Sequence, residues 1–150
     1  MAVTTDPIWM CPVCHRGLLR EDRRFACAAG HAFDVAREGY VNLLLAHHRR
    51  STEAGDPRTS VRSRRAFLEA GHFGPLAEAV SEVVAREIGA PSARAVLDAG
   101  CGEGHYLRQL QAQIGGGTVG LHGLDISKTA IRLAARTCDG VAYAVGNAFR

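Results

Sequence analysis

The sequence has no long apolar run of the kind found in membrane proteins, and it has almost no lysine. No apolar run approaches the roughly 20 residues that a membrane-spanning helix needs. The first residues show no basic start followed by an apolar stretch, so no secretory signal is predicted. Lysine occurs once, at Lys128, which we attribute to coding bias rather than function. We therefore expect a cytoplasmic protein, without membrane contact, whose cysteines stay reduced.

The composition is that of a globular domain. The chain has 150 residues, of which 47% are hydrophobic and 22% charged, and this excludes collagen-like, disordered and coiled-coil classes. The net charge of +3 divides unevenly, with a net of +4 in residues 1–65 and −1 in residues 66–150. The basic half is a candidate for contact with a polyanion, and ordinary solvated surface is the alternative.

Three of the five cysteines lie close together near the N-terminus. The spacing is Cys11-x2-Cys14-x12-Cys27-x3-His31, which forms two close pairs of soft ligands. Such pairs can converge on one tetrahedral ion, and three thiolates with one imidazole fill the shell of a structural Zn²⁺. His15 is an alternative fourth ligand, but the spacing favours His31. The sequence therefore predicts a structural zinc site.

The segment around and after this cluster reads as short strands followed by a basic connection. Strand-like pieces occur at 18–19 and 25–26. Residues 46–65 are polar and basic, with a Gly-Asp-Pro turn signal, and we interpret them as a linker or a mobile binding loop. The remaining histidines are predicted to lie on the surface or in the linker: His47, His48 and His72.

Helix and strand patterns alternate in the second half of the chain. This order predicts the opening of a doubly wound parallel sheet, with a ligand at the carboxyl ends of its strands. Ser127 is predicted to cap the last helix. The predicted helices are 75–88, 103–114 and 128–136, and the predicted strands are 93–97, 119–124 and 141–145.

A glycine-rich loop follows the first of these strands. Gly100, Gly102 and Gly104 remove side chains where a ligand would approach the backbone. Asp125 ends the next strand, where an acid can accept hydrogen bonds from ribose hydroxyls. The combination indicates a cofactor that contains a nucleoside. The alternatives are a purely structural tight turn for the loop and a helix-entry or capping acid for Asp125.

The loop resembles motif I of the class I S-adenosylmethionine (SAM) methyltransferases, because an acid precedes Gly-x-Gly-x-Gly. The resemblance implies that Asp98 and the glycines surround the methionine and ribose parts of the cofactor and that Asp125 holds the ribose. It also implies adenine contacts at the end of the third strand, here Asn147 and Ala148. Cys101 is interpreted as a small filler rather than a nucleophile.

The whole chain resembles the bacterial 23S ribosomal RNA guanine-N1 methyltransferases. The resemblance extends beyond the zinc spacing through residues 31–44 (His-Ala-Phe-Asp-Val-Ala-Arg-Glu-Gly-Tyr-Val-Asn-Leu-Leu), residues 64–73 and residues 124–128. It implies an α/β fold in which a zinc ribbon precedes a class I SAM-methyltransferase (Rossmann-like) domain, truncated here after the third strand. The implied parts are a zinc ribbon for rRNA recognition (1–45), a basic linker and helix (46–72) and the first part of the methyltransferase domain (73–150).

The same resemblance implies methylation of guanine N1 in a 23S rRNA hairpin, a possible homodimer and, in some members, macrolide resistance. It names no catalytic base among these residues. The alternatives are a non-catalytic zinc- and RNA-binding fragment and a SAM methyltransferase of another substrate. A set of arginines is expected to grip RNA, with solvated surface as the alternative: Arg16, Arg20, Arg23, Arg24, Arg49, Arg50, Arg62, Arg64 and Arg65.

The expected truncation has a physical consequence. In this fold the strand at 93–97 pairs with the second strand on one side and the fourth on the other. Without the fourth strand its apolar edge is open to association. We therefore expect residues 1–150 alone to be unstable, oligomeric or completed by another chain.

Overall fold

The structure, a computed structural model, describes residues 8–46, 55–88, 95–115 and 119–149. These residues form two sheets and four helices, and no described helix is long and apolar enough to cross a bilayer. The strands are β1 (Leu19–Glu21), β2 (Arg24–Ala26), β3 (Ala32–Asp34), β4 (Tyr40–Asn42), β5 (Ala95–Ala99), β6 (Gly120–Asp125) and β7 (Val141–Val145). The helices are α1 (Arg58–Glu69), α2 (Gly74–Ile88), α3 (His105–Ile114) and α4 (Lys128–Thr137).

The first sheet is a small antiparallel ribbon in the order β1-β2-β3. Leu19 pairs with Ala26, and Phe25 pairs with Phe33 across the next strand. Asp22 takes a positive φ of 49° between β1 and β2, a conformation that Asp tolerates better than most residues. The strand-like pieces expected at 18–19 and 25–26 belong to this ribbon.

The second sheet is parallel throughout and has the order β4-β7-β6-β5. The predicted α/β class is therefore confirmed. The strand expected at 141–145 has those bounds, whereas the strand expected at 93–97 begins, among the described residues, at Ala95 and continues to Ala99. Asp98 consequently lies inside β5 rather than after it.

Strand β4 was not expected from the sequence. It lies within the segment assigned to the ribbon (1–45), yet it pairs with β7 of the parallel sheet, with Tyr40 beside Tyr143 and Asn42 beside Val145. Both Tyr40 and Val41 are buried. The chain thus passes from the ribbon directly into the edge of the larger sheet before it enters the helices.

The linker or loop expected over 46–65 is wrong for residues 58–65, because these form the first eight residues of α1. The helix buries Val61 and Leu68, seven residues apart on one face. Its other positions are mostly polar and basic, which hid the helical pattern. Residues 47–54, including His47, His48, Arg49 and Arg50, lie outside the described residues.

The ribbon packs directly against one face of the parallel sheet. A single apolar cluster joins Trp9 and Phe25 of the ribbon region with Val41 and Ala144 of the sheet. The Trp9 ring also meets the ring of His122, on β6, edge to face, with their centroids 5.6 Å apart. The burial of these side chains holds the ribbon against the sheet.

Candidate functional site

The four residues of the predicted zinc site converge in the structure. Their ligand atoms all lie within 4.8 Å of one another. The Sγ of Cys14 lies 3.6 Å from that of Cys27, and Nδ1 of His31 lies 3.4 Å from Sγ of Cys27 and 3.6 Å from Sγ of Cys11. Tetrahedral Zn²⁺ separates two thiolate sulfurs by about 3.8 Å, given its usual bond lengths. The geometry of this Cys3His cluster therefore fits zinc.

Two tight turns present the cluster. In the first, the backbone N–H of His15 donates to the carbonyl of Cys11, and in the second, the N–H of Gly30 donates to the carbonyl of Cys27. Each turn contains a residue with positive φ, 56° at His15 and 84° at Gly30. His15 does not belong to the converging set. The ribbon strands hold the two turns side by side.

The electrostatics of Cys27 favour a metal-binding thiolate. Burial disfavours the charged form of its thiol, but hydrogen bonds from the backbone at Ala29 and His31, together with those from the side chains of Cys14 and His31, outweigh that effect and lower the pKa to about 6. A thiolate is the form of cysteine that binds metal.

The predicted cofactor residues gather at the carboxyl edge of the parallel sheet. β5 brings Asp98 and the glycine loop there, β6 ends at Asp125, and β7 leads to Asn147. The amide oxygen of Asn147 accepts a hydrogen bond from the backbone N–H of Phe149, 3.0 Å away. Ala148 is exposed. We call this group, with Gly100 and Gly102, the carboxyl-edge site.

Asp125 organises the loop from the neighbouring strand. One carboxylate oxygen accepts from the backbone N–H of Gly102 at 2.9 Å, and the other accepts from the N–H of Ser127 at 2.7 Å. Ser127 in turn caps α4, because its hydroxyl accepts from the N–H of Ala130, as the sequence predicts. Asp125 therefore joins the glycine loop to the start of α4, which agrees with the helix-entry interpretation of this acid.

The three glycines do not have the same surroundings. All have positive φ: 91° at Gly100, 55° at Gly102 and 81° at Gly104. A Cβ at Gly100 or Gly102 would meet nothing within 4 Å, so that side of the loop is open to a ligand. A Cβ at Gly104 would lie 2.7 Å from the hydroxyl of Tyr143. Gly104 therefore allows α3 to pack against the sheet and faces the core.

Asp98 contributes a half-buried carboxylate to this site. Its Oδ2 is buried and accepts no hydrogen bond from the part of the chain that the structure describes. Burial, with a smaller contribution from the charge of Asp125, raises the pKa of Asp98. A buried carboxylate without a donor is costly, and a cationic ligand or a ligand with a hydrogen-bond donor would relieve that cost.

The other polar residues of the loop are engaged by the protein. Arg108 pairs with the buried carboxylate of Glu103 at 2.9 Å and donates to its backbone carbonyl at 2.7 Å. Cys101 is buried, and burial raises the pKa of its thiol, so its position fits a filler. The buried side chains of Glu103 and Cys101 therefore stabilise the loop from the protein interior.

The sequence interpretation missed the ion pairs that tie the ribbon side to α4. Oε1 of Glu38 accepts from Arg132 at 2.8 Å and from Arg136 at 3.0 Å. The hydrogen bond from Arg132 is the largest influence on the carboxyl of Glu38 and helps lower its pKa to about 2. The only sequence feature that marked this place was the Glu-Gly-Tyr-Val-Asn stretch that begins at Glu38. Residue spacing alone does not show that Glu38 pairs with arginines of α4.

The arginines expected to grip RNA are distributed over the surface. Arg16, Arg20, Arg23 and Arg24 are exposed on the ribbon. Among the described arginines, Arg24 pairs with Glu21, and Arg65 pairs with Glu69 on α1. Exposure keeps the ribbon group accessible to a polyanion, and surface pairs of this kind are weak.

Comparison with known proteins places two families along the chain. The family described as "RlmA, N-terminal", a zinc ribbon, matches residues 9–52. The family described as "Methyltransferase domain" matches residues 96–149. Among solved structures, the plantazolicin methyltransferase BpumL aligns with a TM-score of 0.46 at 22% identity, covering 61% of this chain and 35% of that one.

Curated relatives match both parts of the chain together. A 23S rRNA (guanine(748)-N(1))-methyltransferase of Streptomyces fradiae is 41% identical over 138 residues, covering 91% of this chain and 47% of the relative. A putative 23S rRNA (guanine-N(1)-)-methyltransferase of Micromonospora griseorubida is 39% identical, with 87% and 48% covered. The chain spans about half the length of these relatives. The chain thus combines an N-terminal region that matches the RlmA zinc-ribbon family with a region that matches the methyltransferase domain, and the curated relatives that match both regions together are named 23S rRNA guanine-N1 methyltransferases.

Proposed function

We propose that the protein transfers a methyl group from SAM to N1 of a guanine in 23S rRNA. The observation that carries this proposal is the 41% identity to a curated guanine-N1 methyltransferase over 91% of the chain, since it includes ribbon and methyltransferase domain alike. The open glycine loop and the buried Oδ2 of Asp98 support it, because they provide space for a ligand and, among the described residues, a carboxylate oxygen without a donor at the same edge.

We propose that the carboxyl-edge site holds SAM. Asp98, Gly100 and Gly102 would face the methionine and ribose parts, and Asp125 would hold the ribose while it keeps the loop in place. Asn147 and Ala148 would lie beside the adenine. The sequence also placed Gly104 in this set, and its approach to Tyr143 supports a packing role instead. The bound cofactor supplies an electrophilic methyl group on a sulfonium.

The protein's own contribution is to position the base. Guanine N1 lies on the Watson–Crick edge, so the base has to leave its pair before it reaches a sheet edge. Fixing the base and the cofactor in line accounts for much of the rate that such a reaction needs. The glycine loop is already held by the hydrogen bond from Gly102 to Asp125. Little of the loop therefore has to become ordered when the cofactor binds, which favours a fixed position of the cofactor.

We propose that the Cys3His cluster binds a structural Zn²⁺ and that the ribbon contacts RNA. Four protein ligands leave no open position on the metal, so the ion would stabilise the fold rather than react. The ribbon exposes Arg16, Arg20, Arg23 and Arg24. Phosphate contacts from such side chains give affinity without reading sequence. In this proposal the segments 1–45, 46–72 and 73–150 remain the three parts, with β4 as the shared strand.

The finer features that the resemblance implies are also proposed. These are an rRNA hairpin as the substrate, a homodimer, a cytoplasmic location and resistance to macrolides. Sedimentation of the full protein with and without the hairpin measures the first two. Growth of a macrolide-sensitive strain that expresses the gene measures the last.

The decisive experiment is methylation of unmodified 23S rRNA by the full protein with radiolabelled SAM. A methyl on guanine N1 blocks Watson–Crick pairing, so reverse transcription should stop at one guanine. Radiolabelled rRNA together with a reverse-transcription stop at one guanine supports the proposal. RNA binding without labelling would favour the non-catalytic alternative, and labelling of small molecules but not rRNA would favour a different substrate.

A further inference from the structure

A cleft between helices α1 and α4 is lined mainly by arginines. Its volume is about 300 Å³, and Arg58 and Arg62 of α1 face Arg132 and Arg136 of α4 across it. No acidic side chain is among the described residues that line it. We call it the arginine cleft. Three of its four arginines, Arg58, Arg132 and Arg136, lie outside the set that the sequence pointed to.

Glu38 fixes one wall of the cleft without neutralising it. One carboxylate binds two guanidinium groups, those of Arg132 and Arg136, so positive charge remains. The pKa of Glu38, about 2, keeps this anchor charged at neutral pH. The two arginines stay 52% and 49% exposed while they are held. They are therefore oriented by the protein and still accessible to an external anion.

The cleft begins next to the carboxyl-edge site. Arg58 is the first residue of α1, and Thr129, which also lines the cleft, is the second residue of α4. The turn before α1 lies against the start of α4, because a Cβ at Gly55 would lie 2.5 Å from that of Ser127. Ser127 is hydrogen-bonded to Asp125. An anion at the Arg58–Thr129 end of the cleft would thus lie close to the edge where the base is expected.

We propose that the arginine cleft binds backbone phosphates of the RNA next to the nucleotide that enters the carboxyl-edge site. This inference rests on the proposed function. Guanidinium groups offer a planar fork of donors that matches phosphate, and they stay charged at any physiological pH. A nucleotide that leaves the stack has to be held by contacts to the phosphates on either side of it. The arginine cleft places positive charge beside the carboxyl-edge site, where those phosphates would lie. Neighbouring phosphates of one strand match a cleft with arginines along both walls.

The test compares RNA affinity at several salt concentrations, using the full zinc-loaded protein and a 23S rRNA hairpin fragment. The variants are Arg58→Ala and the double variant Arg58→Ala/Arg62→Ala, and Arg86→Ala is the control. Arg86 is an exposed arginine in the last turn of α2, so its replacement removes the same charge away from the cleft. Binding of SAM alone is measured for each variant, and it should not change.

We expect the affinity to fall about tenfold for each cleft arginine that is removed. The slope of log affinity against log salt should decrease by about 0.7 for each lost phosphate contact. Arg86→Ala should leave the slope unchanged. The Arg58→Lys/Arg62→Lys variant should keep most of the slope but lose part of the affinity, because lysine keeps the charge without the fork.

Three outcomes would overturn the inference. If the wild-type protein binds RNA and the double variant behaves like Arg86→Ala, the cleft does not contact RNA, while the proposed function stands. If inorganic phosphate raises the melting temperature of the wild type but not of the double variant, with equal RNA affinities, the cleft is a small-anion site. If the wild type neither binds nor methylates the rRNA, the proposed function fails first and this inference fails with it.

Discussion

The Cys3His cluster and the carboxyl-edge site are assembled over different distances along the chain. All four residues of the cluster lie between Cys11 and His31, on two turns of one small ribbon. The carboxyl-edge site takes residues from the ends of three strands, from Asp98 to Asn147, and exists only when these strands pair. A local site depends on spacing, whereas a sheet-edge site depends on the whole fold. The two sites should therefore fail in different ways when they are damaged.

The largest effect is expected from loss of a cluster ligand. Cys11 is fully buried, and Cys11→Ser should abolish zinc binding and unfold the ribbon, since metal binding supplies about 10–16 kcal/mol in small zinc domains. Amide hydrogen exchange should show protection lost over residues 9–34 and kept in α3 and α4. Zinc content by mass spectrometry completes the measurement.

The matched control for this variant is His15→Ala, since His15 adjoins Cys14 but is not part of the cluster. The His15→Ala variant should keep its zinc and the protection of its ribbon amides from hydrogen exchange. If Cys11→Ser also removes protection from α3 and α4, the ribbon and the parallel sheet unfold as one cooperative unit, and the two sites do not fail separately.

The second effect concerns the two kinds of glycine in the loop. Gly104→Ala should destabilise the protein by about 2–4 kcal/mol, because left-handed strain adds to a clash with Tyr143. Gly102→Ala should cost about 1–2 kcal/mol from strain alone, since its Cβ meets nothing. Denaturant unfolding measures both.

Cofactor binding should show the reverse order. Gly102→Ala places a methyl group on the open side of the loop and should weaken SAM binding strongly, whereas Gly104→Ala should weaken it only through lost stability. Isothermal titration at a temperature where both variants are folded separates the two. Equal losses of SAM affinity would contradict the division between a ligand-facing and a core-facing glycine.

The third effect concerns Asp98, whose pKa is raised by burial. Below the pKa that Asp98 has in the unfolded chain, its carboxyl is neutral in both the folded and the unfolded state and does not affect the free energy of unfolding. As the pH rises through the higher pKa of the folded state, the folded protein loses stability. Asp98→Asn should therefore raise the melting temperature at pH 7 and leave it almost unchanged at pH 3. The same variant should weaken SAM binding about 10- to 100-fold, through the lost charge. Asp139→Asn, on an exposed loop, is the control.

The smallest effect is expected from Glu38, whose pKa is lowered to about 2. A depressed pKa contributes stability above the unfolded value, near 4.5, and this contribution is lost as pH falls through the folded pKa. Glu38→Gln should therefore lower the denaturation midpoint at pH 7, and the difference should shrink between about pH 4.5 and pH 2. Glu69→Gln, which removes the local pair with Arg65, should change it less. Identical midpoints for the two variants would remove Glu38 as a link between the ribbon side and α4.

The sequence predicted best what is encoded over short distances. The cluster spacing, the strand at 141–145 and the cap at Ser127 each depend on neighbouring residues, and they agree with the structure. The sequence did not predict β4, because three residues carry no periodicity and Tyr40 finds its partner Tyr143 across most of the chain.

Other features were hidden because their meaning depends on packing. Three glycines with similar spacing look equivalent in the sequence, and only the position of Tyr143 distinguishes Gly104 from Gly102. The basic start of α1 resembles a linker until α4 is placed beside Val61. In each case the deciding contact joins residues that are distant in the chain.

Strand β4 also sets an order of events during synthesis. The ribbon has all its own ligands once His31 has been made, so it can take up metal early. Tyr40 and Tyr143 are roughly a hundred residues apart, and so the edge of the sheet that receives β4 is completed only after β7 has emerged. We therefore expect the ribbon to fold first as a metal-bound unit on a tether, and to dock last, when β7 provides the strand that β4 joins.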